Sequence, residues 1–465
     1  MIKRYLIGLT IGLFICFAAV LTRAATTYYV VTNNTLAQDP YTNWGIAGTN
    51  IIDVVNAAMT NGNGNTVLVS NGTYVLTNQI CITNGLTVQG FNGRTNTFID
   101  GNRTAGNTNR GFYINHASAV VTGVTISNAG SPNVNGGGVY CNNGKLDNCF
   151  LTLNIASNGG GVYLTAGTVT NCTIITNRAV TQTAYSQGGG GVFMTAGNIL
   201  NCIVMSNQSR FGGGTMVRGN NGNWLIYDCV ISCNTATFSG GGIYLCPSAS
   251  GAGQVKECLV SRNYASTSGG GVGLWGSDPA AALVIFSNCT FSYNTSPIGG
   301  GIGQDASYGV TLRNCLFYTN SSWAIDFGCT VYANKSGVVE NCTIVNNGTI
   351  AMKSFTGSVY NVINSVIYSN SVYDPNTNGI FTNCCLESTN NLNVTLCITN
   401  NPRFVDYGTT NFHLQANSPC VNAGTNQNWM TNSVDLDGRM RIRYGVVDIG
   451  AYEAIYEGTM YRMGF

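Results

Sequence analysis

Few residues of this chain can perform acid–base or nucleophilic chemistry. Only 8% of its 465 residues are charged, and only two are histidines. His116 and His413 lie near opposite ends of the chain, and neither accompanies a Ser or Cys nucleophile motif, which disfavours a catalytic triad. The sequence contains no Walker loop, dinucleotide fingerprint or zinc motif. Carboxylates and a few cations are therefore the remaining candidates for catalysis.

Asp305, Asp326 and Lys353 are the candidate catalytic residues, because they recur about one repeat apart. On one face of stacked coils, the two aspartates are offset by one coil (about 4.8 Å) and two residues (about 6.6 Å), or about 8 Å in all. This separation suits the acid and base of an inverting glycoside hydrolase. Alternatively, Lys353 or Arg218 acts as the base of a polysaccharide lyase in which a cation such as Ca²⁺ holds the uronate carboxylate.

A repeat positions these groups, and it shows as two interleaved series. Glycine clusters begin at Gly136, Gly159, Gly189, Gly212, Gly240, Gly269 and Gly299, at intervals of 23 to 30 residues. Each cysteine of the second series has an asparagine five residues later: Cys149/Asn154, Cys172/Asn177, Cys202/Asn207, Cys229/Asn234, Cys258/Asn263, Cys289/Asn294, Cys315/Asn320 and Cys342/Asn347. The pattern extends without cysteine to Gly123/Asn128 and Ser365/Asn370. Such self-similarity is typical of a solenoid.

The content of the repeat predicts an all-β fold, a single right-handed parallel β-helix of ten or more coils. Segments such as residues 170–174 alternate in polarity, and the glycines between them would weaken a helix by about 1 kcal/mol each. Coils stacked about 4.8 Å apart place equivalent residues in columns. We expect the asparagines to form an internal hydrogen-bonded ladder and the glycines to form a corner with positive φ.

Alignment on the glycine clusters predicts one outward face of the coils, because strand residues alternate in direction. The residues predicted there to bind substrate are Tyr140, Tyr163, Phe193, Arg218, Tyr244 and Trp275. An aromatic stripe that leads to a small charged centre is typical of a glycan groove. The alternative is an exterior aromatic ladder that only stabilises the coils, by about 0.5–1.5 kcal/mol per ring pair. A slip of one residue in the alignment would turn all of these side chains inward.

The cysteine column predicts buried free thiols rather than disulfides or a metal site. No Cys-x-x-Cys pair occurs, and in-register neighbours in stacked coils have parallel side chains, which is poor disulfide geometry. Cys384, Cys385, Cys397 and Cys420 lie outside the column and are the better disulfide candidates. An exported protein meets the oxidising conditions that such bonds require.

The N-terminus predicts export. Lys3 and Arg4 precede the apolar residues 5–21, and an imperfect cleavage site at residues 22–24 places the mature start near Ala25. An uncleaved N-terminal anchor is the alternative. After residue 21 no apolar run reaches the roughly 18 residues that span a bilayer, so we expect no transmembrane segment in the mature chain. The formal net charge of +2 provides no basic surface for nucleic acid.

Three segments resemble known families. The Gly-Gly-Gly-Ile/Val clusters, with ends such as residues 291–294 and 317–320, look like the repeats of polymorphic outer-membrane proteins. Residues 51–59 and 66–74 are similar to the entry of pectate-lyase-like β-helices. Residues 401–406, 411–414, 418–424 and 448–453 resemble the closing segment of bacterial secreted β-helix proteins, which often precedes a sorting anchor. These resemblances imply a secreted β-helix with adhesin-like or carbohydrate-active members.

Together these features predict four segments. They are a signal peptide at 1–24, an N-terminal cap with a short helix at 25–65, β-helix repeats at 66–400 and a C-terminal capping segment at 401–465. We expect an exported, extracellular, cell-surface or periplasmic monomer with an adhesin-like binding role toward polysaccharide or cell-surface glycan. The alternative is a polysaccharide lyase or glycoside hydrolase, which would need no cofactor or, as a lyase, Ca²⁺. A subunit of a larger assembly is disfavoured because caps cover both sheet edges.

Overall fold

The chain forms a right-handed parallel β-helix, as the repeats predict. A computed structural model describes residues 24–104, 108–180, 184–219, 223–246, 253–276, 284–306, 309–328, 337–354, 359–370, 379–443 and 445–455. The expected signal segment, apart from Ala24, lies outside these ranges. Within the described residues, no helix has both the length and the apolar character needed to cross a membrane.

Each coil contributes short strands to rows that run along the helix axis. The first row follows the glycine corner and comprises Ile80–Ile82, Val162–Leu164, Val192–Met194, Thr215–Val217, Ile243–Leu245, Val272–Gly276, Ile302–Ala306, Trp323–Asp326 and Ile350–Lys353. The second row comprises Thr27–Val30, Thr66–Val69, Thr87–Gly90, Thr168–Thr170, Gly197–Leu200, Trp224–Tyr227, Gly253–Lys256, Val284–Ser287, Val310–Arg313, Gly337–Glu340, Tyr360–Ile363, Gly379–Thr382 and Asn393–Thr395. Two long strands, Phe112–Thr122 and Val139–Asp147, join both rows into one 24-stranded sheet.

Two further rows complete the coils. The third row follows the cysteine column and comprises Gly72–Val75, Thr97–Asp100, Thr125–Ser127, Phe150–Thr152, Thr173–Ile175, Ile203–Met205, Val230–Ser232, Leu259–Ser261, Thr290–Ser292, Leu316–Tyr318, Thr343–Val345, Val366–Tyr368 and Cys385–Leu386. The fourth row is short and comprises Ile155–Ala156, Arg178–Ala179, Gln208–Phe211, Thr235–Ser239 and Tyr264–Ala265. Pairing within every row is parallel and in register over most rungs, so equivalent residues stack in columns.

Positive-φ residues turn the chain at the corners. Between the second and third rows, Asn171 has φ of 53° and the following Cys172 points into the core, and this geometry recurs along the axis. Asparagine tolerates the left-handed region better than other non-glycine residues. At the opposite corner, Gly242 approaches the next coil so closely that a Cβ atom would lie 2.6 Å from the carbonyl oxygen of Gly271. The recurring residue types therefore follow from backbone geometry.

The predicted asparagine ladder is confirmed. From Asn154 to Asn347, each side-chain Nδ2 donates to the Oδ1 of the asparagine one coil further on, at 2.9–3.3 Å, and Asn370 is the last acceptor. The predicted extension of the repeat pattern to Gly123/Asn128 is wrong by one residue. Ala129 occupies the ladder position, since its backbone N donates to Asn154 Oδ1 at 3.0 Å, whereas Asn128 has φ of 52° at the corner.

Cysteines fill the core beside this ladder as free thiols, as predicted. All 16 cysteines within the described residues are unpaired. In the column, each Sγ donates to the carbonyl two residues earlier, as Cys172 does to Thr170 at 3.1 Å. Burial raises the pKa of the Cys141 thiol to about 12, which keeps it protonated at neutral pH. The disulfides expected among Cys384, Cys385, Cys397 and Cys420 are not formed in this structure.

A helix covers the first coils, as expected. It spans Ile51–Thr60, and the Asn50 side chain accepts a hydrogen bond from the backbone N of Ile52 at 2.9 Å. Its apolar face, which includes Val54 and Val55, is buried against the core. Short 3₁₀ helices occur at Trp44–Ile46 and Asn428–Met430.

The closing segment lies along the side of the coils. Residues from its hairpin strands, Phe404–Asp406 and Asn411–Leu414, form a second apolar core with the outward residues of the third row. Those third-row residues are Leu316, Val345, Val366 and Cys385. Corner asparagines also hold this segment: Asn314 Nδ2 donates to Val434 O at 2.7 Å, and Asn341 Nδ2 to Asp448 O at 3.0 Å. The segment therefore covers several coils at once.

Candidate functional site

The strand register places the predicted site residues in two adjacent outward columns of the first row. One column runs Tyr113, Tyr140, Tyr163, Phe193, Met216, Tyr244, Gly273, Gly303, Asp326 and Lys353. The other column lies two residues further along each strand and includes Arg218, Trp275 and Asp305. The alignment on glycine clusters therefore has the right register, and sequence reasoning missed Tyr113 and Cys81 at its lower end.

The lower part of the first column is a self-stacked tyrosine ladder. The ring centroids of Tyr140 and Tyr163 are 4.9 Å apart at 28°, and those of Tyr113 and Tyr140 are 5.5 Å apart at 47°. All three residues are half-buried. Because the ring faces pack on each other, the ring edges and hydroxyl groups are the parts that a ligand can reach. Burial raises the pKa of Tyr140 and Tyr163, so both phenols remain neutral donors at physiological pH.

The middle of the same column is closed to a ligand. Phe193 is 2% exposed and Tyr244 is 1% exposed. Both belong to a small separate apolar cluster with Phe211 and Met216, and Phe238 packs against it. The expectation that Phe193 and Tyr244 form open sugar platforms is therefore wrong, because fourth-row aromatic residues cover them.

An aromatic pair remains at the surface of this cluster. The rings of Tyr185 and Trp275 stack with centroids 4.4 Å apart at 13°. Tyr185 is 41% exposed and Trp275 is half-buried. Trp275 therefore lies where the sequence predicted a platform, with one of its faces occupied by Tyr185.

Cations accompany the aromatic groups on this face. The Arg110 guanidinium lies 5.5 Å from the centroid of the Tyr140 ring and donates to Asn135 O at 2.7 Å. Arg218 is exposed and close enough to Tyr163 to oppose the rise in the pKa of that phenol. These two guanidiniums can form bidentate hydrogen bonds with a carboxylate ligand.

The predicted catalytic residues lie at the upper end of the columns. In the strand register, Asp326 lies opposite Lys353 on the next rung. The Lys353 Nζ lies 3.8 Å from the ring centroid of Trp323. Asp326 is only 2% exposed, and its Oδ1 accepts a hydrogen bond from the backbone N of Gly328 at 2.9 Å.

Asp305 pairs through its backbone with Trp275, and its side chain lies outside the described part of the structure. The spacing predicted for the two carboxyl groups therefore stays a prediction.

The described residues of this face do not fit a Ca²⁺ site. Calcium takes six to eight oxygen ligands. The one described carboxylate here, Asp326, is buried beside the cation Lys353. Across the described residues there is no group of three or more His, Cys, Asp or Glu side chains that could hold a metal ion.

Sequence reasoning missed an open surface pocket of mixed polarity formed by the closing segment. It has a volume of 860 Å³ and is lined by residues that include His413, Asp437 and Arg439. The two ring nitrogens of His413 lie 2.6 Å from Asn411 Oδ1 and 2.6 Å from Asp437 Oδ2, and Arg439 also bonds to Asp437. Both ring nitrogens of His413 are therefore engaged by side chains of the closing segment itself. The motif around residues 411–414 was the only sequence signal for this site.

Comparisons with known proteins return distant structural likenesses. No protein-family model matches the chain, and no curated protein matches it at a significant level. Among solved structures, the pectate lyase Pel9A has 16% identity and a TM-score of 0.48, with 93% of this chain and 97% of that chain covered. A rhamnogalacturonan lyase has 12% identity and a TM-score of 0.40, with 77% and 87% covered. The Dettilon tailspike protein has 12% identity and a TM-score of 0.39, with 76% and 70% covered.

Proposed function

We propose that this chain is an exported protein with an adhesin-like role and that it binds an acidic polysaccharide along the outward face of its first row. The supporting observation is the presence of half-buried tyrosines, a surface Tyr185–Trp275 pair and exposed Arg218 on the same side of the coils. The apolar residues 5–21 behind Lys3 and Arg4 support export.

The chemistry of the face favours an anionic ligand. Stacked tyrosine rings offer edges and hydroxyl groups, which suit the hydroxyl groups of a sugar. Arg110 and Arg218 offer guanidinium groups for uronate carboxylates, and Lys353 adds an ammonium group further along the axis. Rungs about 4.8 Å apart place Tyr113, Tyr140 and Tyr163 on successive coils, so an extended polymer contacts several coils at once.

Binding assays test this function directly. Mature protein, residues 25–465, is titrated by calorimetry with polygalacturonate and, separately, with a neutral polysaccharide such as dextran. We expect binding to polygalacturonate that weakens with added salt, since exposed charge pairs are screened. Arg218→Gln should weaken this binding about tenfold, equivalent to about 1.4 kcal/mol. Arg178→Gln, at an exposed site in the fourth row, is the matched control and should bind as the wild type. Binding that is equal for both polymers, or insensitive to Arg218→Gln, contradicts the proposal.

Catalysis by Asp305, Asp326 and Lys353 is the second candidate. The observation that favours it is the pairing of Asp326 with Lys353 next to Gly303, a point of the column without a protruding side chain. In a hydrolase the two aspartates would act as acid and base. In a lyase Lys353 would remove the proton next to the uronate carboxylate.

Product formation separates the two candidates. The same polysaccharides are incubated with the protein while ultraviolet absorbance of unsaturated uronates and new reducing ends are recorded. Catalysis predicts products that disappear in Asp326→Asn and Lys353→Met, while Asp100→Asn, on the third row, retains them. Binding without either product rejects the catalytic candidate and leaves the binding function in place.

A further inference from the structure

A pocket opens where the closing segment meets the end of the third row. Its volume of 530 Å³ is in the range of sites for small ligands. Tyr368 and Ser369 line it from the third row and its corner, and Arg403, Phe404 and Tyr407 line it from the closing segment. None of the lining residues belongs to the first row. The pocket is therefore separate from the face proposed to bind polysaccharide.

Arg403 is fixed in the wall of this pocket with one edge of its guanidinium available. Its backbone N donates to Asn401 Oδ1 at 2.8 Å, and its carbonyl accepts from Gln415 N at 3.0 Å. Its Nη1 donates to Asn417 O at 3.3 Å. Nε and Nη2, which form the other edge, have no partner among the described residues. Such an edge binds a carboxylate through two parallel hydrogen bonds.

An aromatic surface lies beside this cation. The rings of Phe404 and Tyr407 stack with centroids 6.4 Å apart at 25°. Phe404 is 8% exposed and Tyr407 is 40% exposed, so the Tyr407 ring is the one that a ligand can reach. Gln415, which also lines the pocket, donates from Nε2 to Phe404 O at 3.0 Å. This bond orients the amide and leaves its Oε1 to accept from a hydroxyl group.

The charge of the pocket favours an anionic ligand. Among the described residues that line it, Arg403 is the only charged one. Glu387 lies just outside the lining, and its Oε2 accepts from the backbone N of Ser369 at 3.1 Å. Burial and, to a lesser extent, Glu387 raise the pKa of Tyr368, so this phenol remains a neutral donor at physiological pH. A molecule with one carboxylate and several hydroxyl groups matches this set of groups.

We propose that this pocket binds a single sugar residue that carries a carboxylate, either as a free uronic acid or as the end of a uronic acid chain. The carboxylate bonds to Nε and Nη2 of Arg403, the apolar face of the sugar ring packs on Tyr407, and a hydroxyl group donates to Gln415. The pocket is concave, whereas the first-row face runs along the axis of the solenoid. This binding does not depend on the polysaccharide binding proposed for the first row.

Calorimetry with small ligands tests this proposal. Mature protein, residues 25–465, is titrated at low ionic strength with galacturonic acid, trigalacturonic acid, galactose and acetate. We expect both acidic sugars to bind at one site per chain, and galactose and acetate to bind at least about tenfold more weakly. Equal affinity for the two acidic sugars indicates a site for a free monosaccharide. A higher affinity for the trimer indicates a site for a chain end.

Substitutions in the pocket provide the second part of the test. Arg403→Gln and Tyr407→Ala should each weaken the binding of galacturonic acid about tenfold. Arg403→Lys should recover only part of the loss, because an ammonium group lacks the two-donor edge. Arg178→Gln, at an exposed site in the fourth row, is the matched control and should bind as the wild type.

The outcome is independent of the first-row proposal, because long polygalacturonate carries few chain ends and Arg403→Gln should bind it as the wild type. Three results would overturn the pocket proposal. They are no binding of either acidic sugar up to about 10 mM, equal binding of galactose or acetate, and an affinity for galacturonic acid that Arg403→Gln leaves unchanged. If the variants fail to fold, the comparison of galacturonic acid with galactose and acetate on the wild type still decides the question.

Discussion

The buried asparagines of the ladder are stable because their side-chain amides are hydrogen-bonded. Asn234 is completely buried, and its Nδ2 donates to Val204 O at 2.9 Å and to Asn263 Oδ1 at 3.0 Å. Its Oδ1 accepts from the backbone N of Asn207 at 2.9 Å. A buried amide without such partners costs about 1–3 kcal/mol. The ladder therefore specifies which residue of each coil lies at the corner.

Buried charges in the closing segment are less well balanced. Arg441 is fully buried, and its Nη2 lies 3.1 Å from Glu453 Oε1, while Asp435 and Asp448 are buried nearby. Arg441 is the one fully buried cation beside these three carboxylates, and Asp435 also lies 3.9 Å from Nη1 of the partly exposed Arg439. Burial raises the pKa of Glu453 to about 8 although Arg441 opposes the rise, and burial also raises the pKa of Asp448. For Glu453 and Asp448, desolvation therefore outweighs the attraction of Arg441.

This imbalance predicts that stability falls as pH rises. The folded state binds the Glu453 proton more tightly than the unfolded chain, whose ordinary pKa is 4.5. The stabilisation is therefore complete below pH 4.5 and is lost up to about pH 8, with a limiting slope of about 1.4 kcal/mol per pH unit. Urea unfolding at pH 5, 6, 7 and 8 measures this dependence. Glu453→Gln should reduce the slope, and Glu257→Gln, at a partly exposed site, should not. An unchanged slope in Glu453→Gln would show that other groups dominate.

At the scale of elements, close contacts between coils restrict the glycine corner to residues without a side chain. Gly242 donates its backbone N–H to the next coil, and an added Cβ would lie 2.6 Å from Gly271 O and 2.9 Å from Asn263 Nδ2. The corner and the asparagine ladder therefore occupy adjacent space. A side chain at this corner would push both elements apart.

Gly242→Ala should destabilise the protein by about 1–3 kcal/mol, as overpacking does in other cores. Thermal unfolding with circular dichroism detection measures this loss. Gly408→Ala is the control, because the nearest atom to its added Cβ, Asp406 Oδ1, is 3.4 Å away. If both substitutions have the same effect, close approach of the coils does not explain the choice of glycine.

At the scale of the whole molecule, the closing segment stabilises coils that are distant in sequence. Phe412 is 2% exposed, and its ring lies 5.5 Å from that of Tyr318 and 5.4 Å from that of Phe404. In the same apolar core, Leu316 and Val366 of the third row are almost fully buried by the closing segment. Further toward the N-terminus, Ile203 of the same column is 41% exposed. Coverage of the third row thus depends on this one segment.

Phe412→Ala should therefore loosen the closing segment before the solenoid unfolds. Loss of a buried aromatic ring costs about 3–5 kcal/mol. Hydrogen exchange with mass spectrometry should show faster exchange in residues 404–454 and unchanged exchange in strands such as Thr173–Ile175. Val405→Ala, at a residue that is 49% exposed, is the control. Equal acceleration in both regions would show that segment and solenoid unfold as one unit.

The two outward columns of the first row show what could be predicted of the candidate site. The register from Tyr140 to Lys353 follows from the glycine clusters, because a strand period of two residues leaves no freedom once one inward residue is known. The burial of Phe193 and Tyr244 could not be predicted. It depends on Phe211 and Phe238, which reach the face from the fourth row, where the chain has no constant interval.

The sequence by itself determined the β-helix, its corners, its asparagine ladder and its core thiols. These features arise from local backbone preferences that recur at a nearly constant interval, so the same residue pattern specifies each coil. Only the tertiary structure decided which outward residues are open, that Asp326 is buried, and where the closing segment packs. Such features depend on contacts between residues far apart in the chain, and no repeat encodes those contacts.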